Sequence, residues 1–188
     1  WPKTITTWNF TSTQADESAV VVTNSWVLNL SNVTIDKSWD ASNTENSEFY
    51  WLNSWVIAKD WWTLNITDST VKTTSNWANW VFSTKNSTVN LSNVTVVTTA
   101  ESWARWLDAT YWWTINADRV NISTVWIHSA ASATDRGEGN VTITNSVLQT
   151  IGQDSPAIYS TWKFILKNTT WIATWAEAAV IEWQNSIS

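Results

Sequence analysis

Residues 64–71 read "LNITDSTV" and residues 89–96 read "VNLSNVTV", and this repeated pattern indicates how the chain folds. In each copy apolar and polar residues alternate with period two until Asp68 or Asn93, where the phase changes. Such a change indicates one strand, a bend and a second short strand. Four further copies follow the same pattern: "LNLSNVTI" (28–35), "INADRVNI" (115–122), "VTITNSVL" (141–148) and "FILKNTTW" (164–171). Taken in chain order, the six copies start 36, 25, 26, 26 and 23 residues apart.

A second short motif, which starts with Ala or Trp, alternates with the first along the chain. Its occurrences are "AVVVT" (19–23), "WVIAK" (55–59), "WVFST" (80–84), "WLDAT" (106–110), "AASAT" (130–134), "AIYST" (157–161) and "AVIEW" (179–183). Each repeat therefore contains two or three short strands, and no segment has the 3.6-residue apolar period of a helix. Repeats of this kind predict a parallel β-solenoid rather than helical or leucine-rich repeats.

Alignment of the copies also assigns columns, which are positions expected to stack from one rung to the next. The bend column contains Asn or Asp in most rungs, and both residues tolerate a left-handed backbone and bond to nearby amides. Stacked about 4.8 Å apart, these side chains are expected to form a ladder. The bend column is Asn32, Asp68, Asn93, Arg119, Asn145 and Asn168. Two inward columns are predicted to form the core: Leu28, Leu64, Val89, Ile115, Val141 and Phe164, with Leu30, Ile66, Leu91, Ala117, Ile143 and Leu166.

On this repeat pattern the chain resembles the right-handed parallel β-helices, namely the pectin-lyase-like proteins and, more closely, passenger-type surface adhesins. The resemblance covers nearly the whole chain but includes no catalytic motif. It implies an all-β, single-domain, right-handed parallel β-helix of about seven rungs over residues 1–188, with a loop insertion at 36–51. We expect this domain to be a segment of a longer extracellular chain, because the last copy stops within a rung and lacks a polar cap.

Composition excludes several functional classes. The net charge is −6, which disfavours nucleic acid and anionic membranes as partners. The chain has no Cys and a single His, His128, so thiolate and poly-histidine metal sites are excluded and we expect neither metal nor cofactor. No apolar run approaches the ~20 residues needed to cross a membrane, so no membrane insertion is expected.

Tryptophan and glycine occur in abnormal numbers, 19 and 3 respectively, whereas ordinary usage would give roughly 13 Gly. Trp also alternates with the smallest residues within single columns. One such column is Trp26, Trp62, Ser87, Trp113, Gly139 and Trp162, and another is Ala19, Trp55, Trp80, Trp106, Ala130, Ala157 and Ala179. We therefore hypothesise that most of these Trp stand where the ancestral protein has Gly, as happens when a gene that reads UGA as glycine is translated with UGA as tryptophan.

A different interpretation is that the Trp residues are genuine and bind sugars through stacked indoles. The candidate ligand-binding residues are Trp61, Trp62, Trp112, Trp113, Tyr111 and Tyr159. If the indoles are present, we expect the turns at Trp62 and Trp113 to bulge and direct them outward, because the inward columns are already filled with apolar side chains.

An enzymatic function would need carboxylates on neighbouring rungs, as in the pectin-lyase-like enzymes. The outward column of the second motif is predicted to be Val21, Ile57, Phe82, Asp108, Ser132, Tyr159 and Ile181. Only Asp108 is acidic there; Asp135 is the candidate partner for inverting hydrolysis, with Arg136 and Tyr111 nearby. The alternative explanation is that these are solvated turn charges, and His128 is expected to be a surface or capping residue.

The sequence therefore favours a non-catalytic, adhesin-like rod on the cell surface. Its expected partners are carbohydrate, another cell-surface protein or flanking domains of the same chain. Alternatives are a pectin-lyase-like enzyme acting on polysaccharides and a carbohydrate-binding module that uses exposed Trp. Ice binding would need Thr-x-Thr pairs on consecutive rungs, whereas the "TIT" segments at 4–6 and 142–144 are isolated pairs.

Overall fold

The computed structural model describes residues 1–23, 27–43, 52–58, 61–75, 81–83, 86–98, 107–109, 112–134 and 138–182. These residues form strands and no helix. Along the chain the strands are β1 (Lys3–Thr6), β2 (Asn9–Ser12), β3 (Val20–Val22), β4 (Val27–Ser31), β5 (Thr34–Lys37), β6 (Val56–Ala58), β7 (Thr63–Thr73), β8 (Val81–Ser83), β9 (Thr88–Thr98), β10 (Leu107–Ala109), β11 (Thr114–Thr124), β12 (Ser132–Thr134), β13 (Asn140–Thr144), β14 (Val147–Gln153), β15 (Ile158–Ser160), β16 (Lys163–Lys167), β17 (Thr170–Trp175) and β18 (Ala179–Ile181).

The strands form two parallel sheets that make a β-solenoid, as the repeats predict. The first sheet has the order β1-β4-β7-β9-β11-β13-β16, and β2, β5, β14 and β17 extend its levels beyond the bend. The second sheet has the order β18-β15-β12-β10-β8-β6-β3. Seven levels correspond to about six turns from the first to the last. Each strand pairs with the equivalent strand of the next repeat, so one repeat of the sequence forms one turn of the solenoid.

The bend column has the backbone that its residue types predict. Every member is left-handed, with φ values between 49° and 54°, and Thr7 adds a further member at the first level. In β7, β9 and β11 the strand continues through this residue, whereas elsewhere the bend separates two strands. Asn and Asp accept this conformation more readily than other residues with a Cβ, which explains why the alternation changes phase at them.

The core lies between the two sheets and follows the predicted columns. Pairing places Leu64 beside Val89, and Val89 beside Ile115, in register. These three side chains are fully buried, as are Ile66 and Ile143 in the second column. The inward columns are therefore confirmed, because a period-two pattern presents every second side chain to the same side of the sheet.

Two rungs of the second sheet have a register that differs from the prediction by one residue. Asp108 pairs with Ala133 rather than Ser132, and Tyr159 pairs with Val180 rather than Ile181. The first positions of these rungs are consequently Ala131 and Ala178, not Ala130 and Ala179. Both segments contain two adjacent alanines, so the sequence offered two equivalent alignments that only strand pairing distinguishes.

The predicted outward direction of two tryptophans is wrong. Trp113 is 0% exposed and Trp62 only 5% exposed, and both belong to the core cluster. Their column is nevertheless as predicted, since Thr88 N–H donates to the Trp62 carbonyl and Asn140 N–H to the Trp113 carbonyl. The interior at this corner has room for an indole, which the alternation pattern does not show.

The expected insertion at 36–51 differs at its start, because Asp36 and Lys37 belong to β5. Residues 38–43 leave the sheet, and the Ser42 N–H donates to the Asp16 carboxylate at 2.9 Å. Residues 44–51 lie outside the described part of the chain. No helix among the described residues has the length and apolar character required to cross a membrane.

Candidate functional site

The first candidate surface is the outer side of the second sheet, where a polysaccharide-processing β-helix would need its carboxylates. Asp108 does occupy the outward column between Phe82 and Ala133. Its side chain is buried, however, with only 3% exposure, and Ala133 on the next rung and Ile57 two rungs earlier are buried too. The partners proposed from sequence, Asp135, Arg136 and Tyr111, lie outside the described residues. The described part therefore shows no accessible pair of carboxylates at this position.

Tyr159 continues the same column two rungs beyond Asp108. It is half-buried, and its hydroxyl donates to Glu182 Oε2 at 2.7 Å. This bond links β15 to the residue that follows β18 on the next rung.

The outer side of the first sheet has a more regular arrangement, which we call the amide ladder: Thr4, Asn29, Asn65, Asn90 and Asn116. The Nδ2 group of each Asn donates to the side-chain oxygen of the preceding member, at 3.3, 2.7, 2.8 and 2.9 Å in that order. All four Asn are half-buried or exposed. The ladder therefore crosses five consecutive rungs on the outer surface and links side chains that are 25 to 36 residues apart in the chain.

Sequence reasoning missed this ladder, although a signal for it was present. Asn29, Asn65, Asn90 and Asn116 each lie between the two inward columns, at the spacing of the repeats. An outward position that repeats one amide residue four times predicts axial pairing, because stacked Asn side chains can bond to one another at the spacing between strands.

The bend column forms the ladder that the sequence predicted, although with interruptions. Asn93 Nδ2 donates to Asp68 Oδ1 at 2.7 Å, and Asn168 Nδ2 to Asn145 Oδ1 at 2.8 Å. At the intervening rung, Arg119 bonds to Asp118 and also donates to Ser92 Oγ. Arginine thus bridges the rungs where the column lacks an amide.

Asp118 is the acceptor that joins this bend to the next rung. Its Oδ1 receives hydrogen bonds from Asn145 Nδ2 and Thr144 Oγ1, both at 2.7 Å. These bonds, together with the guanidinium of Arg119, lower the pKa of Asp118 below its ordinary value. The carboxylate is therefore occupied in structural contacts and is not poised as a general acid.

A buried polar column lines one corner of the interior: Ser12, Lys37, Thr73, Thr98, Thr124 and Thr150. Lys37 is the one member of this column that is not Ser or Thr, and it is fully buried. Its Nζ donates to the carbonyls of Gln14 and Trp39, at 2.7 and 2.8 Å. Burial lowers the pKa of Lys37 to about 8, although Glu17, Asp40 and Asp16 favour the charged form.

The exposed tryptophans of the two Trp pairs lie at one corner of the solenoid. Trp61 and Trp112 are 70% and 61% exposed, and Trp112 Nε1 donates to Glu138 Oε2 at 2.7 Å. Both have a left-handed backbone, with φ of 73° and 66°, and Asn86 on the rung between them has φ of 60°. A bulky residue is an outlier in this conformation. The corner therefore has the geometry that the glycine hypothesis requires at the first Trp of each pair.

Trp61→Gly is expected to raise the free energy of unfolding by up to about 1 kcal/mol, because glycine adopts a left-handed backbone without the steric cost that a Cβ carries. Chemical denaturation measures the change. Trp8 is a matched control, since it is 59% exposed and has no positive φ. Trp8→Gly should lower stability through the added freedom of the unfolded chain. Loss of stability in both variants to the same extent would contradict strain at Trp61.

The gene sequence provides an independent check of the same hypothesis. UGA codons at Trp62 and Trp113 would support glycine as the ancestral residue. UGG codons at both positions would contradict it, since UGG specifies tryptophan in either reading of the code.

His128 lies in a turn. It has φ of 54°, its N–H donates to the Gln153 carbonyl, and its Nδ1 lies 4.0 Å from Asp154 Oδ2. Within the described ranges, no three His, Cys, Asp or Glu side chains lie close enough together to hold a metal ion.

No family model, curated protein or solved structure matches this chain.

Proposed function

We propose that this protein is a non-catalytic, adhesin-like structural and binding rod at the cell surface or outside the cell. The observation that carries the proposal is the amide ladder. Its side chains pair from rung to rung along the axis, so the outer face adds cross-links between repeats to the backbone hydrogen bonds. A solenoid gains stability from contacts between neighbouring repeats, and such a face gives a rigid support on which loops and flanking domains can present contacts.

The burial of Asp108 supports this proposal over the polysaccharide-processing alternative. Inverting hydrolysis needs two carboxyl groups about 6.5–9.5 Å apart, both facing the substrate. A side chain with 3% exposure does not face a substrate on the outer surface.

Limited proteolysis and an activity screen together test the rod. We expect β7, β9 and β11 to resist cleavage under native conditions, because their backbone is paired on both sides. We also expect no product from polygalacturonate, with either the unmodified protein or Asp108→Asn. Turnover that Asp108→Asn abolishes would overturn the proposal in favour of the enzyme, and rapid cleavage within these strands would contradict a protease-resistant rod.

A further inference from the structure

We propose that the outer face of residues 27–29, 63–65, 88–90 and 114–116, which lie before the bend in β4, β7, β9 and β11, binds a neutral, extended polysaccharide that lies along the solenoid axis. This inference rests on the proposed function and names the ligand class of the rod. The site combines the amide ladder with a hydroxyl column, which consists of Thr63, Thr88 and Thr114 on the neighbouring outward positions.

The hydrogen-bonding capacity of the ladder defines the complementary chemistry. A primary amide has two N–H donors and an oxygen with two lone pairs. Asn65 and Asn90 each use one N–H and one acceptor position within the ladder. Each rung therefore presents a remaining donor next to a remaining acceptor, in an orientation fixed by the axial bonds. A sugar hydroxyl, which both donates and accepts, matches this pair.

The hydroxyl column supplies a second row of groups. The side chains of Thr63, Thr88 and Thr114 are half-buried and outward-facing. Within the described residues, no side-chain hydrogen bond to these three hydroxyls is found. The ladder is thus engaged and rigid, whereas the neighbouring hydroxyls are available to a ligand.

Charge and spacing select among polymers. Neither the ladder nor the hydroxyl column contains a charged residue, and the chain carries a net charge of −6, which disfavours anionic polysaccharides and nucleic acid. The groups repeat about every 4.8 Å along the axis, whereas an extended polypeptide advances about 3.3–3.4 Å per residue and does not stay in register with them.

The exposed indoles of Trp61 and Trp112 border this face but are not required for the proposal. Their left-handed backbone marks them as glycine candidates. The amides and hydroxyls are sufficient to define the site, so Trp61→Gly and Trp112→Gly should leave binding within a factor of a few.

The test titrates the ¹⁵N-labelled full chain with cellohexaose and chitohexaose, and with polygalacturonate as an anionic comparison. We expect the side-chain amide resonances of Asn65 and Asn90 to shift with either neutral oligosaccharide. The triple variant Thr63→Val, Thr88→Val and Thr114→Val should weaken binding at least tenfold, because valine keeps the shape and the strand preference but removes the hydroxyls.

The matched control is Thr70→Val with Thr95→Val. These outward threonines lie on β7 and β9 beyond the bend, and they pair with each other in register. Binding should be unchanged in this variant. The proposal is overturned if neither neutral oligosaccharide shifts the Asn65 and Asn90 amides, if the triple variant binds as well as the unmodified chain, or if polygalacturonate binds more tightly. None of these results alters the proteolysis that tests the rod, so the two proposals can fail separately.

Discussion

Trp113→Ala is expected to lower the free energy of unfolding by about 3–5 kcal/mol, the usual cost of truncating a buried large aromatic residue. The indole of Trp113 is fully buried between the sheets and packs within the core cluster. Its removal leaves a cavity at a corner where the paired strands β9, β11 and β13 hold the backbone in place, so collapse can fill only part of the space. Chemical denaturation monitored by circular dichroism measures the loss.

The neighbouring Trp112 provides the matched control in the same pair. It is 61% exposed, and its side chain has a single described hydrogen bond, to Glu138. Trp112→Ala should change stability by no more than about 0.5 kcal/mol, as is typical of surface substitutions. Equal losses in the two variants would mean that Trp113 does not fill the interior as described.

Stability is expected to rise between pH 8 and pH 10.5 by about 2 kcal/mol because of Lys37. Burial lowers the pKa of Lys37 in the folded protein from 10.5 to about 8. In this window the unfolded chain retains the proton that the folded chain has lost, and stability rises with pH wherever the unfolded state binds more protons. Below pH 8 the amine is charged in both states, so its contribution is constant and at its least favourable.

Lys37→Met isolates this contribution from other groups that titrate in the same range. Methionine keeps the length of the side chain and removes the proton equilibrium, so the rise with pH should be smaller in the variant by the same amount. At pH 7 the variant should be as stable as the unmodified protein or more so, because apolar residues often replace a buried charge without loss. Identical pH profiles for the two proteins would show that Lys37 is solvated in the folded state.

The fold could be predicted from sequence to a large extent, because in a solenoid the equivalent residues of successive repeats stack on one another. Asp68 and Asn93 mark the bend, Leu64 and Val89 mark the core, and each pair is neighbouring in register. Where two alignments were equivalent, as at Ala130 and Ala131, the register of the strand could not be assigned from the sequence. Strand pairing selects Ala131, since it is the residue that precedes Ser132 in register with Leu107.

The candidate site was less predictable. The carboxylate at Asp108 lies in the predicted column, but its burial depends on what covers the outer side of the second sheet. The amide ladder could have been identified, since its four Asn recur at the repeat spacing. The pattern does not show that the hydroxyls of Thr63, Thr88 and Thr114 take no part in side-chain hydrogen bonds. Whether a hydroxyl forms such a bond depends on the orientation of its side chain.

The repeats alone identify which residues stack, since parallel strands pair in register and each repeat has one position for every column. The space available to the side chains of a column, in contrast, depends on how the rungs pack in three dimensions. Trp62 and Trp113 share a column with Gly139, where an added Cβ would lie 2.1 Å from the carbonyl oxygen of Ala109. One column thus admits an indole at one level and no side chain at another, because at Gly139 the backbone of the neighbouring rung already occupies the space.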